Sequence, residues 1–164
     1  FSGRSSSGEA LRIGWLVAPA EVIVKMTVLK VDGCTNVFGS HVVADWMPEH
    51  LDAHIDQLID IYGRRRDIMI ESLTKHMPEG TTWTEPDGGF FLWVTLPEGL
   101  DATAMRPMLR EQGVDFLPGA TCYSDGRGKN QFRLAFSFVT DDKIDEGIKI
   151  IGDTAKGELL EMGR

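Results

Sequence analysis

The sequence predicts an α+β layer: a mixed sheet with helices on one face. Three observations lead there. Apolar residues recur at helical spacing through the first half of the chain. After Pro78-Glu79-Gly80 the period falls to two. From there strand-like runs alternate with helical ones, which favours a sheet layered on helices.

The elements follow in order. Residues 1–9 are rich in Ser and Gly and read as a loop that is flexible or cradles a phosphate. Leu11-Arg12-Ile13-Gly14-Trp15-Leu16-Val17 is apolar with one charge, so a mostly buried strand is expected, ended by Pro19. Residues 20–31 predict a helix with Val22, Met26 and Leu29 on one stripe, stopped by Gly33. A second helix is expected over 35–47, ending before Pro48 because a residue preceding proline disfavours the helical region. The clearest helix follows, with Leu51, Ile55, Leu58, Tyr62, Met69 and Leu73 on one face and Arg64-Arg65-Arg66 as a solvated basic knot.

Thr81–Thr84 and Gly89–Leu96 predict two strands joined by the turn residues Pro86-Asp87-Gly88. Asp101 is expected to cap a helix over 101–112. Val114–Leu117 and Phe132–Phe136 predict two more strands, separated by the turn Pro118-Gly119 and a polar loop over 126–130. Thr140 opens the last helix, with Asp141 and Asp142 in its electropositive first turn and Ile144, Ile148, Ile151 and Ala155 on its apolar stripe.

Composition narrows the function classes. The 164 residues are 42% hydrophobic and 26% charged, enough for a core without staples. A net charge of -8 leaves no basic surplus to displace counterions from nucleic acid. No apolar run reaches the length of a membrane span. Cys34 and Cys122 are far apart, with neither metal-ligand nor disulfide-framework spacing, so reduced thiols and a cytoplasmic location are expected. The first residues lack both the apolar stretch of a signal peptide and an initiator Met, so the sequence is expected to begin inside a longer reading frame. His50 and His54 have the one-turn spacing of a chelating pair, but no third ligand follows at a standard interval and no metal is expected.

Four segments then acquire meaning together: Leu11–Pro19 (LRIGWLVAP), Asp87–Leu96 (DGGFFLWVTL), Val114–Gly119 (VDFLPG) and Asn130–Ser137 (NQFRLAFS). In this order and at these spacings they resemble the C-terminal portion of the class I/II, fold type I, pyridoxal-phosphate-dependent aminotransferases. The likeness is closest to the branch holding α-aminoadipate, kynurenine and aromatic aminotransferases. The effector domains of aminotransferase-like transcription regulators share the pattern.

The resemblance implies a division of roles. A lysine amine forms a Schiff base with the cofactor and moves the substrate's α-proton. One arginine meets the cofactor phosphate, and Arg12 matches it; Ser5, in the Ser5-Ser6-Ser7 run, could donate to the same phosphate. A second arginine clamps the substrate carboxylate, and Arg133 matches that one. An arginine between Phe132 and Leu134 should be partly buried and should need an anionic partner, either a substrate or an internal acid. Tyr123 and Pro118-Gly119 resemble the family's loop near the substrate.

The lysine is missing. Aligned on Phe1-Ser2, the lysine position holds Gly3; counted back from Arg12, it holds Ser5. Arg4 stays protonated and is a poor nucleophile. No catalytic residue is therefore expected in this chain. Pyridoxal phosphate belongs to the parent family and is not expected to be held covalently here.

The resemblance further implies that residues 1–48 are a remnant of the large cofactor domain and that 49–164 form the small domain. An amino acid or 2-oxo acid would be the substrate of the full enzyme, which is expected to be a homodimer. The rival expectation is a non-catalytic binding or regulatory module, an aminotransferase-like effector domain. For such a module, apolar surface that a large domain would cover should lie exposed.

Overall fold

The structure is a computed structural model that describes residues 13–14, 16–31 and 35–163. It divides into two compact units, Phe1–Gln57 and Leu58–Arg164.

In the first unit, Ile13, Gly14 and residues 16–19 belong to no strand, and Val17 is almost fully exposed. The rest of the strand expected over 11–17 lies outside the described residues. Helix α1 (Ala20–Leu29) forms where the spacing predicts it, but it has no buried residue. Val22, Met26 and Leu29, expected as an inward stripe, are all exposed.

Helix α2 (Val37–His76) corrects the expected break at Pro48. One helix of 40 residues runs through the proline. Proline forfeits one amide donor, whose partner would be the Ala44 carbonyl, while the turns on either side keep their own hydrogen bonds. Asn36 opens the helix, its Oδ1 accepting from the Gly39 amide at 2.9 Å.

The second unit carries the core. Strands β1 (Thr82–Trp83), β2 (Phe91–Thr95), β3 (Leu117–Pro118) and β4 (Gln131–Ala135) form one sheet in the order β1-β2-β4-β3. Every pairing is antiparallel, so the mixed sheet expected from the sequence is corrected. Alternation fixes its faces. Leu92, Val94, Phe132 and Leu134 point into the core with Met69 and Leu73 of α2, Met105 and Leu109 of helix α3 (Ala102–Glu111), and Ile144, Ile148, Ile151 and Ala155 of helix α4 (Asp141–Met162). Phe132 stacks on Phe116 with centroids 4.5 Å apart. Each such Leu, Ile, Val, Met or Phe side chain, fully buried, contributes about 1.5–3 kcal/mol.

Local chemistry sets the helix ends. Asp101 Oδ1 accepts from the Thr103 and Ala104 amides at 2.8 and 3.1 Å, the cap the sequence predicts. Thr140 occupies the α4 cap position without a side-chain cap hydrogen bond. Gly152 lets α4 approach the end of α2, since a Cβ there would overlap the His76 carbonyl.

Candidate functional site

The basic knot on α2 is the first candidate: Arg64 is exposed, as a solvated face would have it, whereas Arg65 and Arg66 are partly buried and all three are engaged. Arg64 Nε lies 2.9 Å from Asp141 Oδ2, and Arg65 donates to the Ser137 carbonyl at 2.8 Å. Arg66 pairs with Asp67 at 2.7 Å and reaches the Pro86 carbonyl at 3.3 Å. Arg65 Nε, buried without a hydrogen bond, still lies 3.5 Å from Asp141 Oδ1, so its charge is met at ion-pair range. These guanidinium groups tie α2 to the turn before α4 and to the hairpin loop. A surface depression of about 440 Å³ beside them is lined by Arg66, Asp67, Ile70, Glu71, Glu85, Pro86 and Asp87. Its one cation is already engaged.

A second cluster joins α2 and α4. Ser72 donates to Asp145 Oδ1 at 3.0 Å, His76 Nε2 lies 3.0 Å from the same oxygen, and Lys75 Nζ 3.8 Å from it. These bonds, Ser72 first and His76 second, hold the Asp145 carboxyl below the usual carboxylate range. Serine and histidine both bind the carboxylate rather than each other, so no base activates the hydroxyl. The cluster fastens two helices.

Arg133 differs in kind. It sits in β4 between Phe132 and Leu134, which face the core, so its side chain leaves the other face of the sheet, where it is half-buried. Its Cα partners are Trp93 on β2 and Leu117 on β3. Its guanidinium carbon lies 4.0 Å from the centroid of Phe91. Among the described residues every other arginine (64, 65, 66, 106, 110 and 127) has an aspartate within 4 Å. Arg106 shows the contrast: Asp115 binds it through both oxygens, at 2.6 and 3.0 Å, and that carboxyl is pulled below its usual range chiefly by this hydrogen bond. Arg133 has no carboxylate partner among the described residues. A half-buried guanidinium without an acid retains its capacity for an external anion.

The same sheet face carries Phe91, Trp93 and Thr95 of β2. Tyr123 meets Trp93 edge to face at 6.1 Å, and Arg127 lies 4.5 Å over the Tyr123 ring. Gly119, in a short 3₁₀ turn over Gly119–Cys122, allows the chain to bend there, because a Cβ would come within 2.7 Å of the Gly128 carbonyl. Tyr123 and Pro118-Gly119, singled out in the sequence, are thus brought beside Arg133's strand. Phe91 and Trp93 were missed. The alternation in Gly89–Leu96 places them on the non-core face, but only the register shows which side chains flank Arg133.

Arg12 and Ser5 lie outside the described residues. His50 and His54 flank Trp46, with ring centroids 5.2 and 5.3 Å away. No group of three metal-ligating side chains occurs among the described residues. Neither is any described helix long and apolar enough to cross a membrane.

Comparison with known proteins bears on this geometry. Residues 5–151 match the sequence profile of the family described as aminotransferase class I and II. An aromatic-amino-acid aminotransferase of Thermococcus litoralis is 43% identical over 152 residues, 90% of this chain and 36% of the relative. The crystal structure of a kynurenine aminotransferase from Pyrococcus horikoshii is 44% identical and superposes with a TM-score of 0.82, over 92% of this chain and 38% of that one. A Bacillus subtilis protein described as an uncharacterized HTH-type transcriptional regulator is 30% identical over 98% of this chain and 33% of its own. The chain thus spans little more than a third of the length of these relatives.

Proposed function

Because the chain belongs to the class I and II aminotransferases, in the branch of the aromatic, kynurenine and α-aminoadipate enzymes, we propose that it is the C-terminal part of an enzyme that moves an amino group between an amino acid and a 2-oxo acid. In that reading Arg133 receives the α-carboxylate. The single observation that supports it is the half-buried, acid-free guanidinium on the non-core face of the sheet. The planar fork of arginine matches a carboxylate with two parallel N–H donors, which orients the α-carbon as well as binding it.

Residues 1–48 would derive from the cofactor domain, with Arg12 and Ser5 meeting the phosphate. Pyridoxal phosphate supplies the electron sink in such enzymes. Covalent attachment to this chain does not fit. Neither candidate position for the anchoring lysine, Gly3 or Ser5, is one, and no position of β2 or β4 on the Arg133 face (Phe91, Trp93, Thr95, Gln131, Ala135) is a lysine. The chain by itself would be inactive, and a homodimeric cytoplasmic enzyme would be its full setting. The apolar surface of α1, where Val24, Val28 and Leu29 are exposed, is in keeping with a larger assembly.

Two measurements test this. Isothermal titration with 2-oxoglutarate should show saturable binding that Arg133→Met abolishes; equal binding by the variant would refute the carboxylate role. Mixing with pyridoxal phosphate should give no stoichiometric imine absorbance, and a borohydride-trapped lysine adduct would overturn the view that the cofactor is not attached here.

A second reading has its own support in the likeness to the transcription regulator over nearly the whole chain. There the same sheet face would sense a carboxylate without catalysis. A winged-helix segment encoded upstream would favour it, and a cofactor domain would favour the enzyme.

A further inference from the structure

Arg133 reaches Phe91 by leaning along its strand. Directly opposite its Cα stand Trp93 and Leu117, whereas Phe91 stands opposite Ala135, two residues further on. A guanidinium carbon 4.0 Å from the Phe91 centroid therefore marks a diagonal contact across the β2–β4 pair. We propose that Phe91 is the positioning residue for Arg133, holding its guanidinium flat above the ring so that a carboxylate is received at the Phe91–Ala135 end of the sheet. The proposal rests on the reading of Arg133 as the carboxylate arginine.

The chemistry of the fork carries the inference. A guanidinium has five N–H donors, all in its plane. A carboxylate that holds it takes up donors, as Asp115 takes two of those of Arg106 through Nε and one Nη. An aromatic ring holds it through the flat face and consumes none. Phe91 thus holds the guanidinium through its ring face and takes none of its N–H donors.

Two neighbours make the arrangement possible. Ala135 is exposed and ends in a methyl group, so nothing at that position competes for the space the arginine leans across. The Phe91 ring is itself braced: Phe90 meets it edge to face at 6.4 Å, and Tyr62 meets Phe90 at 5.0 Å.

The test is NMR on the 164-residue chain, reading the Arg133 side-chain Nε–H signal and its response to pyruvate. In the wild type this signal should be displaced upfield by the Phe91 ring current and should shift further, saturably, with pyruvate. Phe91→Leu keeps the apolar volume and removes the ring face. It should abolish the upfield displacement and weaken pyruvate binding roughly tenfold, with an unchanged thermal midpoint. Phe91→Tyr should restore both to within about twofold, since its ring has the same face. Ala135→Leu, at an exposed position, should likewise expel the guanidinium and weaken binding.

A Phe91→Leu chain with unaltered Nε–H position and pyruvate affinity overturns the role of Phe91 and leaves Arg133 as the carboxylate arginine. A wild type with the upfield signal but no response to pyruvate overturns the Arg133 reading, and the positioning role falls with it.

Discussion

The two units treat apolar sequence in opposite ways. In Leu58–Arg164, helical and alternating patterns both deliver their apolar faces to one core, where Leu73, Leu92, Val94 and Phe132 are wholly buried. In Phe1–Gln57, α1 is just as apolar, yet none of its residues is buried. Periodicity states which residues share a face; it does not state whether anything covers that face. A sheet closes the core of the second unit, and among the described residues of the first there is no strand.

Substitutions in the two units should sharpen this contrast. Phe132→Ala should destabilise the second unit by about 3–5 kcal/mol, read as a lower denaturant midpoint, because it removes a wholly buried ring stacked on Phe116. Gly152→Ala should cost about 1–3 kcal/mol in the same assay, since its methyl group meets the His76 backbone rather than a side chain that could turn away.

Acid should act on the second unit more gently. Asp145 titrates below its ordinary value when folded, so its bonds to Ser72 and His76 stabilise fully above the unfolded carboxyl pKa of about 3.9. That contribution is lost as pH falls through the lower, folded pKa. Ser72→Ala should reduce the acid dependence of unfolding below about pH 4, and the effect should be small because Asp145 is about half exposed. The smallest change belongs to α1. Val28→Ser should alter stability by no more than about 0.5 kcal/mol, and a large loss would show that this face is covered after all.

Local rules were legible wherever the deciding atoms are close in sequence. The Asp101 cap depends on amides two and three residues away. The buried stripe of α4 needs only helical spacing and a partner. Pro48 was misread because a penalty at one position does not by itself end a helix whose neighbouring turns persist. The engagement of Arg65 was not legible for a different cause: Asp141 and the Ser137 carbonyl lie more than seventy residues from it. The mixed sheet was misread because alternation gives the faces of a strand but not the direction of its neighbour.

The chain's own residues settled the kinship, since motif order and residue identity are linear properties. What surrounds Arg133 was decided in three dimensions. That Phe91 rather than an acid holds it depends on the offset between β2 and β4, and a shift of one residue would have carried Phe91 to the core face. Register arises from contacts across the whole sheet and cannot be read along a single strand.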